Sequence, residues 1–183
     1  MNTQQSTIND LIVVEPSIFG DERGSFFESW NLKSYAEKGI HADFVQDNQS
    51  ISKKGVLRGL HFQKPPYAQG KLVRVIKGSV LDVAVDIRKG SPTYGKHQSI
   101  VLSEQNQKQF WIPPGFAHGF ISLEDDTIFC YKCTNYYHKA SEGSLLWNDP
   151  DLNIDWGMNE ALLSEKDLIA KAFTNFESPF EYK

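Results

Sequence analysis

The sequence predicts a mainly β fold of the sandwich or jelly-roll type, and three observations carry that prediction. Short stretches rich in Val, Ile, Phe and Tyr recur along the chain, separated by turn signals roughly every eight to twelve residues. One of them, Leu81 to Arg88, alternates strictly: Leu81, Val83, Val85 and Ile87 share one face, while Asp82, Ala84, Asp86 and Arg88 share the other. The regular alternation of strands with long helices that a βαβ fold requires is missing.

Taken in order, "GDERG" is a turn leading into a strand at "SFFESW", Ser25 to Trp30. "NLKSYAEKG" is a short helix, with Asn31 capping its start and Gly39 its end. "GVLRGLHFQ", Gly55 to Gln63, is a strand, and "KLVRVIKGSVLDVAVDIR" is a pair of strands joined at "KGS". "QSIVLS" and "QFWIP" are shorter strands. "PPG" turns the chain into "FAHGFISL", the acidic "EDD" turns it again, and "TIFCYKCTNYY" runs back. From Leu162 onward "LLSEKDLIAKAF" is expected to be a helix on the barrel mouth.

With 183 residues, 40% of them hydrophobic and 13% aromatic, the chain suits one domain, residues 1–183, with a sizeable core. A formal charge of −4 excludes a broad nucleic-acid-binding field, although a local Arg/Lys cluster can still hold a small anion. The apolar run "LIVV" is too short for a membrane span or a signal core, so a cytoplasmic location is expected. Cys130 and Cys133 point to opposite faces of an extended strand, and no second pair completes a zinc site, so both are expected to be reduced.

The chemistry-bearing residues begin in "GVLRGLHFQ". Arg58 cannot lose its charge, so burying it in a strand requires an anionic partner, and the barrel interior becomes a candidate ligand site. His61 lies three residues on and in a regular strand would face the other way; a bulge at Gly59 would bring both side chains to one cavity. His118 shares a face with Phe116 and Phe120 and so points inward, while Tyr131 shares parity with Thr127 and Phe129. Lys71 opens the strand after "KPPYAQG". A metal centre lacks ligands, because His61 is followed by Phe62 and Gln63 rather than completing an H-x-H pair, and His41, His97 and His138 lie in polar, loop-like contexts. Metal-free acid–base chemistry remains. A histidine takes a proton near neutral pH, a tyrosine gives one, and a cation such as Lys71 or His118 steadies an enolate.

The ordered motifs "GDERGSFFES", "FVQDNQS", "GVLRGLHFQ", "QGKLVRVIKGSVLDVAVDIRKGSPTYG", "WIPPGFAHGF", "YKCTNYY", "EGSLLWNDP" and "LSEKD" resemble the dTDP-4-dehydrorhamnose 3,5-epimerase family from about Glu15 to Leu168. The resemblance implies a cupin-like jelly roll (a double-stranded β-helix) with a few short helices, acting as a cofactor-free homodimer. The implied reaction inverts C3 and C5 of dTDP-4-dehydro-6-deoxy-D-glucose.

It further implies a base, His61, paired with Asp167; an acid, Tyr131; and Lys71 at the enolate with His118 beside it. Arg58 would grip the diphosphate. Arg23, Glu28, Gln46, Asp47 and Asn48 would serve the nucleotide, some across a subunit boundary. Phe26 and Tyr137 would cover and stack on the base, and Glu142 and Lys166 would complete the substrate contacts. On spacing alone, Asp167 three residues after Ser164 reads as a helix capping box, and Asp82 and Asp86 read as a polar face or a structural ion pair. Inversion at a single carbon, or a non-catalytic sugar-nucleotide module on the same barrel, are the competing expectations.

Overall fold

The computed structural model describes residues 1–158 and 160–182. Among them, strands follow in the order β1 (Asn2–Gln5), β2 (Ile12–Glu15), β3 (Phe19–Asp21), β4 (Gly24–Phe26), β5 (Gln46–Ser52), β6 (Leu57–Gln63), β7 (Lys71–Lys77) and β8 (Ser79–Asp86). They continue with β9 (Arg88–Lys89), β10 (His97–Ser103), β11 (Gln109–Ile112), β12 (Phe116–Ser122), β13 (Thr127–Cys133), β14 (Glu142–Ser144) and β15 (Phe180–Glu181). Two short helices, α1 (Leu32–Ala36) and α2 (Glu165–Leu168), complete the set.

Two antiparallel sheets face each other. One has the order β1-β2-β11-β7-β13-β5 and the other β10-β8-β12-β6-β14. From β5 to β8 and from β10 to β14 successive strands alternate between the two sheets, as in a jelly roll, so β7 and β8 leave the turn at Gly78 for opposite walls. Between the sheets lies an apolar core that includes Val73, Phe110, Phe120 and Phe129. Phe120 and Phe129 stack across the gap with ring centroids 4.0 Å apart. Burial of such side chains contributes about 1.5–3 kcal/mol each.

The alternating strand β8 divides its faces unexpectedly. Its apolar face, with Val83, Val85 and Ile87, packs outward under the C-terminal segment beside Leu145, Trp156 and Phe180. Ala84 and the fully buried Asp82 turn inward. A third apolar cluster covers the other sheet, where Leu72 and Trp111 pack under Tyr35 and Ile40.

Two expectations need correction. "SFFESW" is strand only to Phe26, in a small β3–β4 hairpin; Phe26 is 72% exposed, whereas Trp30 packs against Tyr35 and Phe44 beside α1. The tail is helical over one turn only, at α2; Leu162 instead makes an extended bridge to Val56, and Lys171 one to Leu145. The strand β5 was absent from the sequence reading altogether. The α1 caps match: Asn31 Oδ1 accepts from the amides of Lys33 and Ser34, and Gly39 follows at a φ of 89°. Cys130 and Cys133 are both free; Cys130 bonds Gln49 and Cys133 is buried. No helix among the described residues is long and apolar enough to cross a membrane.

Candidate active site

The gap between the sheets opens at one end into a cavity of about 1040 Å³. Arg58 and His61 both line it, and the backbone explains how. His118 pairs with His61 and Phe120 with Arg58, so three steps along β6 match two along β12. The extra residue is a bulge at Gly59, which re-aims the strand so that both side chains reach the same space. Gly59 has a φ of 149°, and a Cβ there would lie 2.5 Å from the Gly119 Cα, so only glycine fits. Arg58 is nevertheless exposed rather than buried, which corrects the expectation of a buried guanidinium that demands an anionic partner. Its Nε donates to Ser52 Oγ, and no carboxylate pairs with it among the described residues.

His61 Nε2 lies 2.6 Å from Asp167 Oδ1, and Ser164 Oγ donates to the other carboxylate oxygen at 2.9 Å. The capping-box alternative fails, because Ser164 makes no side-chain cap bond. Burial pushes the Asp167 carboxyl up, but hydrogen bonds from His61 and Ser164 and the nearby charges outweigh it, leaving the group below the usual carboxylate range. A second pair stands beside the first. His118 Nε2 is 3.0 and 2.9 Å from the two oxygens of Asp82. Burial holds the His118 pKa down although Asp82 pulls the other way. The pair fits the ion-pair reading of Asp82, and its parity with the inward-facing Ala84 is the signal in the sequence that points it at the cavity.

The opposite wall comes from the six-stranded sheet. Lys71 opens β7 and Tyr131 sits on the neighbouring β13, with the Lys71 Nζ 5.8 Å from the Tyr131 ring centre. Burial lowers the Lys71 pKa, with Cys133, Asp82 and Glu142 opposing. Burial raises that of Tyr131, whose hydroxyl has no hydrogen-bond partner among the described residues. Gln46, Asn48 and Ser50 project from β5 into the cavity at every second residue. Ser50 Oγ is buried and unpartnered, a polar atom that the sequence reading overlooked. At the rim, Lys166 pairs with Glu142 at 2.7 Å, and the Tyr137 hydroxyl donates to Glu142 at 3.4 Å.

Four expected residues stay away from this cavity within one chain. Asp47 points outward and binds Lys132 at 2.9 Å, as its parity opposite Gln46 and Asn48 requires. Arg23 is on the exposed β3–β4 hairpin and pairs with Asp21. Phe26 is on the same hairpin, and Glu28 bonds Asn31 and Ser34 at the start of α1. No three His, Cys, Asp or Glu side chains converge as a metal-ligand set among the described residues.

What the assembled groups can do follows from their kinds. One wall carries an imidazole backed by a carboxylate, the other a phenol and an ammonium group. An unpaired guanidinium stands nearby. Such a site suits proton removal and return on an anionic substrate with an acidic carbon.

Comparison with known proteins gives a consistent result. The sequence pattern of the family described as dTDP-4-dehydrorhamnose 3,5-epimerase matches residues 5–175. A dTDP-4-dehydrorhamnose 3,5-epimerase of Shigella flexneri is 53% identical over 176 residues, covering 96% of this chain and 97% of the relative. A crystal structure of the Legionella pneumophila dTDP-6-deoxy-D-glucose-3,5-epimerase in complex with dTDP-4-keto-L-rhamnose superposes with a TM-score of 0.95 at 50% identity, over 100% of this chain and 98% of that one. A 3'-monoepimerase from Streptomyces bikiniensis, solved with dTDP-quinovose, superposes with a TM-score of 0.87 at 33% identity, over 93% and 87% of the two chains.

Proposed function

The chain belongs to the dTDP-4-dehydrorhamnose 3,5-epimerase family, and from that premise we propose how its own residues carry the reaction. It is an isomerase of the dTDP-rhamnose pathway. Its substrate is a dTDP-4-keto-6-deoxy sugar, and the reaction is inversion at C3 and C5. The observation that carries the assignment of roles is His61 on one sheet, paired at 2.6 Å with Asp167 of α2, with Tyr131 on the other sheet.

The ketone at C4 acidifies the protons on C3 and C5. His61 removes each in turn from one side of the ring, releasing the first proton to solvent before it takes the second, and the ionised Asp167 offsets the charge that the imidazole gains. The electron pair moves onto O4 as an enolate, where the Lys71 ammonium donates to it. Tyr131 then delivers a proton to the same carbon from the opposite side, inverting it, and the phenolate recovers a proton from solvent. Each positioned acid or base contributes roughly 10²–10⁴ in rate. His118, held by Asp82, steadies the same end of the sugar. Arg58 takes the diphosphate, Gln46 and Asn48 the nucleotide, and Tyr137 the thymine ring, with Glu142 and Lys166 at the rim.

The exposed hairpin gives the remaining groups a place. Phe19 and Phe26 present bare aromatic faces, the mark of a surface awaiting a partner. In a homodimer this arm reaches the neighbouring cavity and brings Arg23, Phe26 and Glu28 to the nucleotide. Asp47 stays with Lys132 in this reading. The chain works as one catalytic domain in the cytoplasm.

The test is conversion of dTDP-4-dehydro-6-deoxy-D-glucose in D₂O, followed by NMR. Deuterium at both C3 and C5 of the product is expected; label at neither overturns the assignment. A second reading, inversion at one carbon, is favoured by the likeness to the 3'-monoepimerase, and label at one position alone selects it.

A further inference from the structure

We infer that Gln63 is a positioning residue that fixes the stacking wall of the nucleotide site through Tyr137. The inference rests on the placing of thymine against Tyr137 proposed above, and it assigns that wall a support.

Gln63 is the last residue of β6, two positions beyond His61, and only 4% of it is exposed. Its side chain reaches into the two loops that rim the cavity. Nε2 donates to the carbonyl of Tyr67 at 2.7 Å and to the carbonyl of Tyr136 at 3.1 Å. Oε1 accepts from the amide of His138 at 2.7 Å. Both amide protons and one oxygen lone pair are therefore in use, which leaves Gln63 little capacity to bind a ligand itself.

The two anchor points in the second loop bracket Tyr137. Gln63 holds the carbonyl on one side of it and the amide on the other, and the Tyr137 amide itself donates to Gln46 Oε1 at 2.9 Å. The Tyr137 ring is meanwhile 55% exposed. An exposed aromatic ring on an immobilised backbone is a preorganised stacking surface: little ordering entropy remains to be lost when a base arrives.

The first loop is locked to the second along its length. Gln69 Nε2 donates to the Asn135 carbonyl at 2.8 Å, and Gly70 and Thr134 exchange bonds at 2.8 and 3.0 Å. The rings of Tyr67 and His138 stack at 3.8 Å. The "KPPYAQG" segment is thus a fixed rim, and Gln63 is the link that ties this rim to the strand bearing His61.

The test is a double-mutant cycle on dTDP binding by calorimetry, using Gln63→Ala, the space-filling Gln63→Met, Tyr137→Ala and the combined changes. The Kd for dTDP is expected to rise about tenfold in each Gln63 variant, the scale of losing buried hydrogen bonds. In the Tyr137→Ala background the Gln63 change is expected to add less than about twofold, because the two act as one unit. At saturating substrate, kcat is expected to stay within about threefold, giving a KM effect without a kcat effect. Should the Ala variant fail to fold, the Met variant supplies the same cycle. An unchanged Kd in the folded Gln63 variants, or fully additive losses, overturns the inference while leaving Tyr137 in place. A Kd insensitive to Tyr137→Ala removes the stacking wall itself, and the inference with it.

Discussion

The His61 imidazole and the Asp167 carboxylate meet at 2.6 Å although 106 residues separate them in the chain. The single helical turn of α2 exists at this point to bring that carboxylate under the ring, and Ser164 orients its other oxygen. Asp167→Asn keeps the shape and removes the charge that offsets a protonated imidazole. The expected result is a kcat lower by about 10²–10³ with KM within a few-fold. Steady-state kinetics checks it, and a kcat within fivefold of the parent would reduce Asp167 to a structural role.

Tyr131 sits on the other sheet, and its hydroxyl has no hydrogen-bond partner among the described residues. Tyr131→Phe is expected to leave deuterium exchange into substrate measurable while net inversion falls by about 10² or more. Product NMR in D₂O separates the two events. Unimpaired turnover would return Tyr131 to the core.

The Lys71 ammonium loses its proton more readily than an ordinary lysine because burial penalises its charge. Only the protonated form can steady the enolate, so activity is expected to fall as pH rises through this lowered pKa. The alkaline limb of the kcat profile should lie below the ordinary lysine value of about 10.4. Lys71→Arg, whose charge persists, is expected to flatten that limb. A limb unmoved by the substitution would assign it to another group.

Gly59→Ala places a methyl group 2.5 Å from the Gly119 backbone at a φ that L residues avoid. Loss of roughly 3 kcal/mol is expected, read as a shift in the denaturant midpoint at unchanged m. A midpoint equal to that of the parent would mean that the bulge tolerates a side chain.

In the proposed homodimer the exposed arm ties binding to assembly. Arg23→Ala is expected to raise KM several-fold while kcat changes less, and dilution below the dimer dissociation range is expected to weaken dTDP binding. Kinetics together with light scattering at matched concentrations checks both. Binding that is independent of protomer concentration would confine the nucleotide site to one chain.

How much of this was legible beforehand depended on which face of a strand meets water. β8 announced itself because its two faces differ, and the β6 bulge was readable because Arg58 and His61 cannot both serve one cavity without it. β5 was not readable: Gln46, Asn48 and Ser50 face the cavity while Asp47 and Gln49 face out, so both faces are polar and no hydrophobic period exists. Asp167 was recognised through its motif, since spacing alone favoured a cap. The tail looked helical because its residues have good helix propensity, yet pairing with Val56 and Leu145 won over that weak local preference. The ion-pair reading of Asp82 and Asp86 holds, with His118 and Arg88 as the partners, but that Asp82 is buried beside the site is visible only once its histidine is seen.

The proposed mechanism houses abstraction and donation on separate sheets, so each half of the chemistry has its own mechanical support. On this mechanism, substitutions along β13 around Tyr131 alter how the enolate is quenched and leave in place the His61–Asp167 pair that forms it and the Lys71 ammonium of β7 that steadies it. A lineage can therefore revise its stereochemical outcome by drifting along one wall, while the other continues to supply the same reactive intermediate.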